Sequence, residues 1–529
     1  MITDAGCRMF GFAIVIGIIG ISRGATNTDA DVLDVYPSSS GDGINVIWAH
    51  GVNSVAALND SLSDKAVMML EADVILREGS FIPVMAHSPA VDSNLTLEEW
   101  LLRTVVADKG MKIDFRLIGA LDPAMDVLVE MDKDLHAPLW INADIVSGPN
   151  YPLPPVDPVR FLETTVRRFP RSVLSLGWTT WWVPDGCVVT QSNRYTWKMM
   201  LDMVQLCCSL QQPITFPVRA VWAHTSYDKW LWLTQLRPDF TLTVWHGARD
   251  PINITGLVSL RRHGDPRRIF YDFPVGLKQQ FLDALEEGNV SPGAGGLPYT
   301  WNATYWQVIP AESSQIFMTD MNVVLAGAGP DWALLSYGGP LDRAARVTGR
   351  AQFISNRLPG NPGDEVERSY VAVTMVVGNR TLVVGFNDKG FVEIRTEGAG
   401  GEATVVASRQ DVALTSDCIS FEVAIAGKQV TATSTVVHCR DSAGDPANAD
   451  ASASVTSRLG GDAVAKRGGD AVAKRGGDAV AKLSVRKADA WHDVLIEDLT
   501  ISRSAAGSFL PVPVITYVLI VVIGGGSAA

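Results

Sequence analysis

Between residues 44 and 287, short apolar runs alternate with stretches whose apolar residues recur every three to four positions. The runs are INVIWA (44–49), MMLEADVIL (68–76), MKIDFRL (111–117), PLWINADI (138–145), SVLSLGW (172–178), ITFPVRAVWA (214–223), FTLTVW (240–245) and RIFYDF (268–273). Their length, and the β-branched and aromatic residues in them, predict buried strands. The segments 54–67, 95–108, 119–133, 156–169, 195–210, 225–236 and 275–287 have helical spacing. Buried strands alternating with helices predict an α/β fold with a parallel sheet. Eight such units predict a (β/α)8 barrel of the TIM type. FIPVMAHS (81–88) falls outside that count, because it follows the second strand too closely for a parallel crossover. It is expected to fold back as a hairpin over the barrel mouth.

After 287 the pattern changes. GNVSPGAGGLP marks a domain boundary, and 300–440 consists of short β runs separated by turn signals such as NDKG. This spacing predicts a β-sandwich. From 441 to 485 small polar residues dominate, and GGDAVAK occurs three times, starting at Gly460, Gly468 and Gly476. Paired glycines at a period of eight disfavour helix and match no solenoid unit, so 441–485 reads as a disordered linker or stalk.

The chain ends bear on the compartment. Arg8 precedes an uncharged apolar run from Met9 to Ser22, which is short for a membrane span and suits a signal peptide, 1–25, cleaved near Gly24 or Ala25. A second apolar run, 509–523, follows a cluster of small residues and has no basic residue after it. It reads as a lipid-anchor signal, a single span or an ordinary strand. Six N-x-[ST] sequons, at Asn59, Asn94, Asn253, Asn289, Asn302 and Asn379, fit a secreted or cell-surface glycoprotein in the extracellular space. In an oxidising compartment Cys418 would pair with Cys439, and Cys187 with Cys207 or Cys208; buried thiols are the alternative for the 207/208 doublet.

Composition narrows the class further. The 529 residues are 47 % hydrophobic with a net charge of −13. Wholesale disorder is excluded, and the acidic balance argues against a nucleic-acid binder. Nucleophile-elbow, H-E-x-x-H, Walker A and C-x-x-C motifs are absent from the sequence. The tryptophan-rich segments (Trp178, Trp181 and Trp182; Trp222, Trp230 and Trp232) read as core packing before a sugar or lipid platform.

Candidate chemistry sits where barrel strands end. His50 ends the first strand, and the second carries Glu71 and Asp73 two apart, on one face. The third carries Asp114 and Arg116, the hairpin delivers His87, and the fourth ends with Asn142 and Asp144. Three buried carboxylates together need a compensating cation. Oxygen-only ligands favour Mg²⁺ or Ca²⁺. Arg116 offers a fixed charge for an anionic substrate. Two histidines at one metal could serve as general acid and as general base or nucleophile. Phosphodiester transfer needs that set.

The motifs WAHGVNS (48–54), LEADV (70–74), PVMAHSP (83–89), KIDFR (112–116), PLWINADI (138–145), SLGWTT (175–180), LTVWHG (242–247) and FYDFP (270–274) fall in the order found in the menorin family, which this chain resembles over most of 44–287. Menorins are extracellular or membrane-associated. Their barrel is similar to metal-dependent phosphodiesterases, among them glycerophosphodiester phosphodiesterases and spider-venom sphingomyelinase D. The resemblance implies that His50 and His87 are the acid/base pair and that Glu71, Asp73 and Asp114 are the metal ligands. It places Arg116 where those enzymes carry lysine and gives Trp245 an aromatic substrate contact. Gly51-Val52 follows His50 where glycerophosphodiesterases have Arg-Gly.

Three functions are therefore in contention. One is metal-dependent cleavage of a phosphodiester or lipid headgroup. The second is a non-catalytic cell-surface ligand or adhesion protein in tissue patterning, with a protein partner and a membrane tether. The third is a glycosidase using Glu71 or Asp73 with Asp114, for which paired histidines have no use.

Overall fold

The computed structural model describes residues 31–150, 156–182 and 194–286 and, between 306 and 503, a series of strands. They form two compact units, one within 31–286 and one within 306–503. The apolar runs 9–22 and 509–523, most of the GGDAVAK repeats, Cys187 and Cys439 lie outside the described residues. Among those described, no helix is long and apolar enough to cross a membrane.

The first unit runs α1 (Val32–Val35), β1 (Trp48–Ala49), α2 (Val55–Ser63), β2 (Met69–Leu76), β3 (Pro83–Met85), α3 (Leu97–Val106), β4 (Gly110–Phe115), α4 (Leu121–Glu130), β5 (Leu139–Ser147) and α5 (Pro158–Arg168). It continues with β6 (Val173–Thr179), α6 (Trp197–Cys207), β7 (Ile214–Arg219), α7 (Ala223–Leu236), β8 (Phe240–Trp245), α8 (Ile254–His263), β9 (Ile269–Asp272) and α9 (Val275–Glu286). The parallel strands lie in the order β1-β2-β4-β5-β6-β7-β8-β9, a nearly closed barrel of eight with helices between them. As expected, β3 stands outside this path and pairs antiparallel with the end of β2, Val74 opposite Met85.

Local chemistry explains the elements. Residues of β6 are buried throughout, which is why the strand reads as an unbroken apolar run rather than an alternating one. Ser54, Thr96, Asp157 and Thr196 cap α2, α3, α5 and α6, each side chain accepting a backbone N–H from the first turn. Among the described residues no backbone ladder joins β9 to β1. Side chains span that seam and the barrel floor. The Trp140 ring on β5 lies 5.3 Å from Trp48 and 5.2 Å from Phe270. Trp178, Trp222, Trp230 and Trp232 are buried, in keeping with a packing role, whereas Trp181 is exposed and does not pack in the core.

Two boundaries differ from expectation. The apolar run expected to continue to 223 stops as a strand at Arg219, and a 3-10 turn (Ala220–Trp222) leads into α7. Buried residues lie all round α7, so no change of period marks its start. Helix α8 is new. Its Leu257, Val258 and Leu260 are buried, and Asn253 Oδ1 caps it by accepting the Gly256 N–H.

The second unit holds two seven-stranded antiparallel sheets. In one, Val480–Lys487 lies between Leu334–Tyr337 and Val371–Val377. In the other, His492–Arg503 lies between Val323–Ala326 and Ala345–Ser355, and Ser452–Arg458 extends Gln429–Val436. Phe386 of the first sheet and Phe421 of the second approach to 5.3 Å. The expected domain limit at 440 and the 441–485 stalk are thus corrected: strands from inside that segment are integral to both sheets. Small, Ser- and Lys-rich strands carry little apolar signal of their own. They are held by ladders to distant partners, which composition cannot reveal.

Candidate functional site

The WAHGVNS turn after β1 assembles one side of the site. Gly51 adopts φ +68, a left-handed conformation that glycine takes without steric cost, and its N–H donates to Glu71 Oε2 at 2.9 Å. Two residues on, Asn53 clamps Asp73: its Nδ2 donates to Asp73 Oδ2 at 2.8 Å, and its Oδ1 accepts the Asp73 N–H at 2.9 Å. His50 Nδ1 donates to Asp272 Oδ2 at 2.7 Å, with Glu71 Oε2 at 3.5 Å. Asp272 therefore faces the mouth.

The other side is built on β4 and β5. Asp114 Oδ1 accepts from Asn142 Nδ2 at 2.6 Å, and Asn142 Oδ1 in turn accepts from Ser175 Oγ at 2.5 Å. Arg116 reaches across the strand ends, with Nε 3.3 Å from Asp73 Oδ1, and Nη1 3.1 Å from Asp114 Oδ2 and 3.9 Å from Asp144 Oδ2. Its Nη2 donates to His87 Nε2 at 2.7 Å. Because His87 Nδ1 donates to the Ser88 carbonyl, the ring is a neutral tautomer with its lone pair on Nε2. Gly177 makes room for Asp144; a Cβ there would lie 2.2 Å from Asp144 Oδ1.

His50, Glu71, Asp73, His87, Asp114, Arg116 and Asn142 thus join in one network. Trp245 enters a neighbouring one, its ring 5.1 Å from the Arg219 guanidinium, which Asp250 holds through both oxygens at 2.6 and 2.7 Å. Sequence reasoning missed Asn53, Lys112, Arg219 and Asp250. Lys112 was within reach, since it lies two before Asp114 and shares its face. Nothing local marks Arg219 and Asp250 as partners.

Glu71, Asp73 and Asp114 are buried and each offers an oxygen within 4.8 Å of the others. Oxygens bound to one ion lie at most twice the bond length apart, ~5.2 Å for Ca²⁺ and ~4.2 Å for Mg²⁺, so the trio spans a single Ca²⁺ as it stands and would draw in slightly around Mg²⁺. Electrostatics agrees. Burial, with Glu71 and Asp114 beside it, pushes Asp73 up to about 7, against Arg116 and Asn53. Burial and Asp114 likewise push Asp144 up to about 7. Asp114 above all, with Asp73, holds the Arg116 guanidinium above its ordinary value. A divalent cation beside these carboxylates would relieve their crowding and lower Asp73 and Asp144 again.

His50 combines opposing effects. Partial desolvation disfavours its charged form, but Glu71 and Asp272 outweigh it and raise the imidazole from 6.5 to about 9. A group raised on folding stabilises the protein fully below its unfolded value, and that contribution is lost as pH rises through the folded one. The stability owed to His50 is therefore expected to be complete below about pH 6.5 and lost by about pH 9. In Asp272→Asn the His50 midpoint, followed by NMR titration, should fall towards 6.5, and the alkaline decline in unfolding midpoint should shrink with it. An unchanged midpoint would show that Asp272 does not hold the charge.

Residues 42–278 match the family model of the menorin N-terminal domain. Protein FAM151B of Homo sapiens is 38 % identical over 247 residues, covering 46 % of this chain and 88 % of that protein. Among solved structures, lectin II from Ulex europaeus (8 % identity, 39 % of this chain and 95 % of that one) aligns with a TM-score of 0.25. A carbohydrate-binding module from Bacillus subtilis (12 % identity, 39 % and 99 %) aligns at 0.23. Likenesses that slight support neither a fold nor a ligand. The family match spans the strands and turns that build the network from His50 to Asp272, and on that ground the chain belongs to the menorin family.

Proposed function

We propose that this chain is an extracellular or cell-surface phosphodiesterase that depends on Mg²⁺ or Ca²⁺, built on a TIM-type (β/α)8 barrel similar to those of glycerophosphodiester phosphodiesterases and spider-venom sphingomyelinase D. The observation that carries it is the pairing of two differently prepared histidines around one all-oxygen carboxylate trio. His50 is backed by Asp272, while His87 is held neutral with its lone pair on Nε2. Environments that set two titratable groups apart are how one site provides both an acid and a base.

Glu71, Asp73 and Asp114 would hold the cation, whose contribution is to offset charge on the phosphoryl oxygens. Arg116, already between the carboxylates and His87, would bind a non-bridging oxygen of the diester. As Arg116 turns to that anion it frees His87 Nε2 to take the proton of the attacking hydroxyl or water. The new O–P bond forms, the O–P bond to the leaving group breaks, and the proton on His50 Nε2 passes to the departing oxygen. Asn142 acts by orienting Asp114, and Trp245 by lining the mouth beside Arg219.

The test is a panel of phosphodiesters, soluble and lipid, assayed with and without Mg²⁺ on the wild type and His50→Ala. Turnover should require the cation and fall ~10²–10⁴-fold in the variant, the usual weight of general acid–base catalysis. Turnover indifferent to both would remove the reading. The rival function, a non-catalytic surface ligand, draws on the large antiparallel unit of 306–503. A His50→Ala protein with full biological activity would favour it.

A further inference from the structure

Three buried lysines allow a comparison within this fold. Lys109 Nζ donates to the Asp64 carbonyl at 3.1 Å and to the Val67 carbonyl at 2.5 Å. Lys229 pairs with Asp228 at 3.4 Å and lies over the Trp197 ring at 5.3 Å. Both follow the rule that a buried ammonium is compensated by the protein. Lys112 is as deeply placed, 4 % exposed. Yet among the described residues its ammonium makes no hydrogen bond or ion pair with any side chain or carbonyl.

Its position shows what it faces. Lys112 lies two residues before Asp114 on β4 and therefore on the same, inward face. It is in register with Glu71 on β2 and with Trp140 on β5. Its charge is felt by His50 and by Asp144, on opposite sides of the site. An ammonium has three donors and no acceptor capacity. Without a hydrogen-bond or ion-pair partner among the described residues, on the inward face that carries Asp114, it is suited to an oxyanion brought in from outside.

We propose that Lys112 is an anion-binding residue that takes a non-bridging phosphoryl oxygen from beneath, opposite Arg116. The inference rests on the phosphodiesterase reading of the same site and adds a residue to it. Lysine serves here as a point charge, where Arg116 offers a planar fork. Between them the two cations would grip a tetrahedral phosphoryl group from two directions, and their charge offsets carboxylates that would otherwise repel it. The anion could be a free phosphate ester or a lipid phosphodiester.

Calorimetric titrations of the full chain test this, first with Mg²⁺ alone and then with inorganic phosphate in saturating Mg²⁺. In Lys112→Met phosphate affinity should fall at least tenfold, while Mg²⁺ affinity stays equal or rises because a nearby positive charge is gone. Lys112→Arg should recover part of the phosphate affinity. A purely structural lysine would not lower phosphate affinity while leaving Mg²⁺ affinity equal or higher. Equal phosphate affinity in wild type and Lys112→Met overturns the proposal, as does a wild type that binds Mg²⁺ but no phosphate. A wild type that binds neither overturns the phosphodiesterase reading itself.

Should Lys112→Met not fold, the wild type with ¹⁵N-labelled lysine answers alone. The Lys112 ammonium resonance should shift on adding phosphate or phosphatidylcholine vesicles in Mg²⁺. A shift with phosphate supports a site for the free ion, a shift with vesicles only supports one for a lipid phosphodiester, and no shift with either overturns the assignment.

Discussion

Asp114→Asn is expected to lose Mg²⁺ binding while the metal-free protein gains stability. Asn keeps the shape but only one acceptor oxygen, enough for Asn142 or Arg116 and not both, and the relief of charge is expected to outweigh that one lost contact. Removing a ligand should cost at least the ~10–100-fold that orienting partners of metal ligands typically contribute. Without a cation, however, Asp114 is one of several like charges crowded in a buried space, and their repulsion shows in the raised values of Asp73 and Asp144. Relieving it should add about 0.5–2 kcal/mol, as is common where a functional site is built at the expense of stability. Calorimetric titration and denaturant unfolding measure the two effects. Lower affinity with lower metal-free stability would mean that Asp114 serves chiefly as a partner for Arg116.

The second large effect should come from the barrel floor. Trp140 is buried against Trp48 and Phe270 and so links β5 to the strands on either side of the unpaired seam. Trp140→Ala is expected to cost about 3–5 kcal/mol through lost burial and a cavity. In a unit of this size that lowers the melting temperature by roughly 10 °C or more. The indole N–H of Trp140 has no hydrogen-bond partner among the described residues, so nothing polar is lost with it. Trp140→Phe should therefore stay within about 1.5 kcal/mol of wild type. Thermal unfolding followed by circular dichroism separates the two. If both variants melt together near wild type, the floor does not hold the seam.

Legibility followed the range of the interaction. Glu71 with Asp73, and Asp114 with Arg116, were readable because a spacing of two puts side chains on one face of any strand. The hairpin carrying His87 was readable because chain length forbade a parallel crossover. Helix α8 carries little signal of its own, because its buried residues are confined to Gly256–Leu260 ahead of a basic last turn. The strands at 452–458 and 480–487 were lost because their stability comes from partners far away in sequence.

The site divides along the same line. His50 and Asp272 are 222 residues apart and meet only because β1 and β9 come together at the seam. Arg219 and Asp250 meet across neighbouring strand ends, and the tautomer of His87 follows from Arg116 and the Ser88 carbonyl. That Lys112 has no hydrogen-bond or ion-pair partner among the described residues is likewise a property of the packed barrel. By itself the sequence determined the strand order, the faces and the all-oxygen donor set, since backbone geometry imposes those periods locally. Only the tertiary structure decided which charges answer one another, because electrostatic partnership depends on distance and burial, and near closure of the barrel brings together residues from opposite ends of the unit.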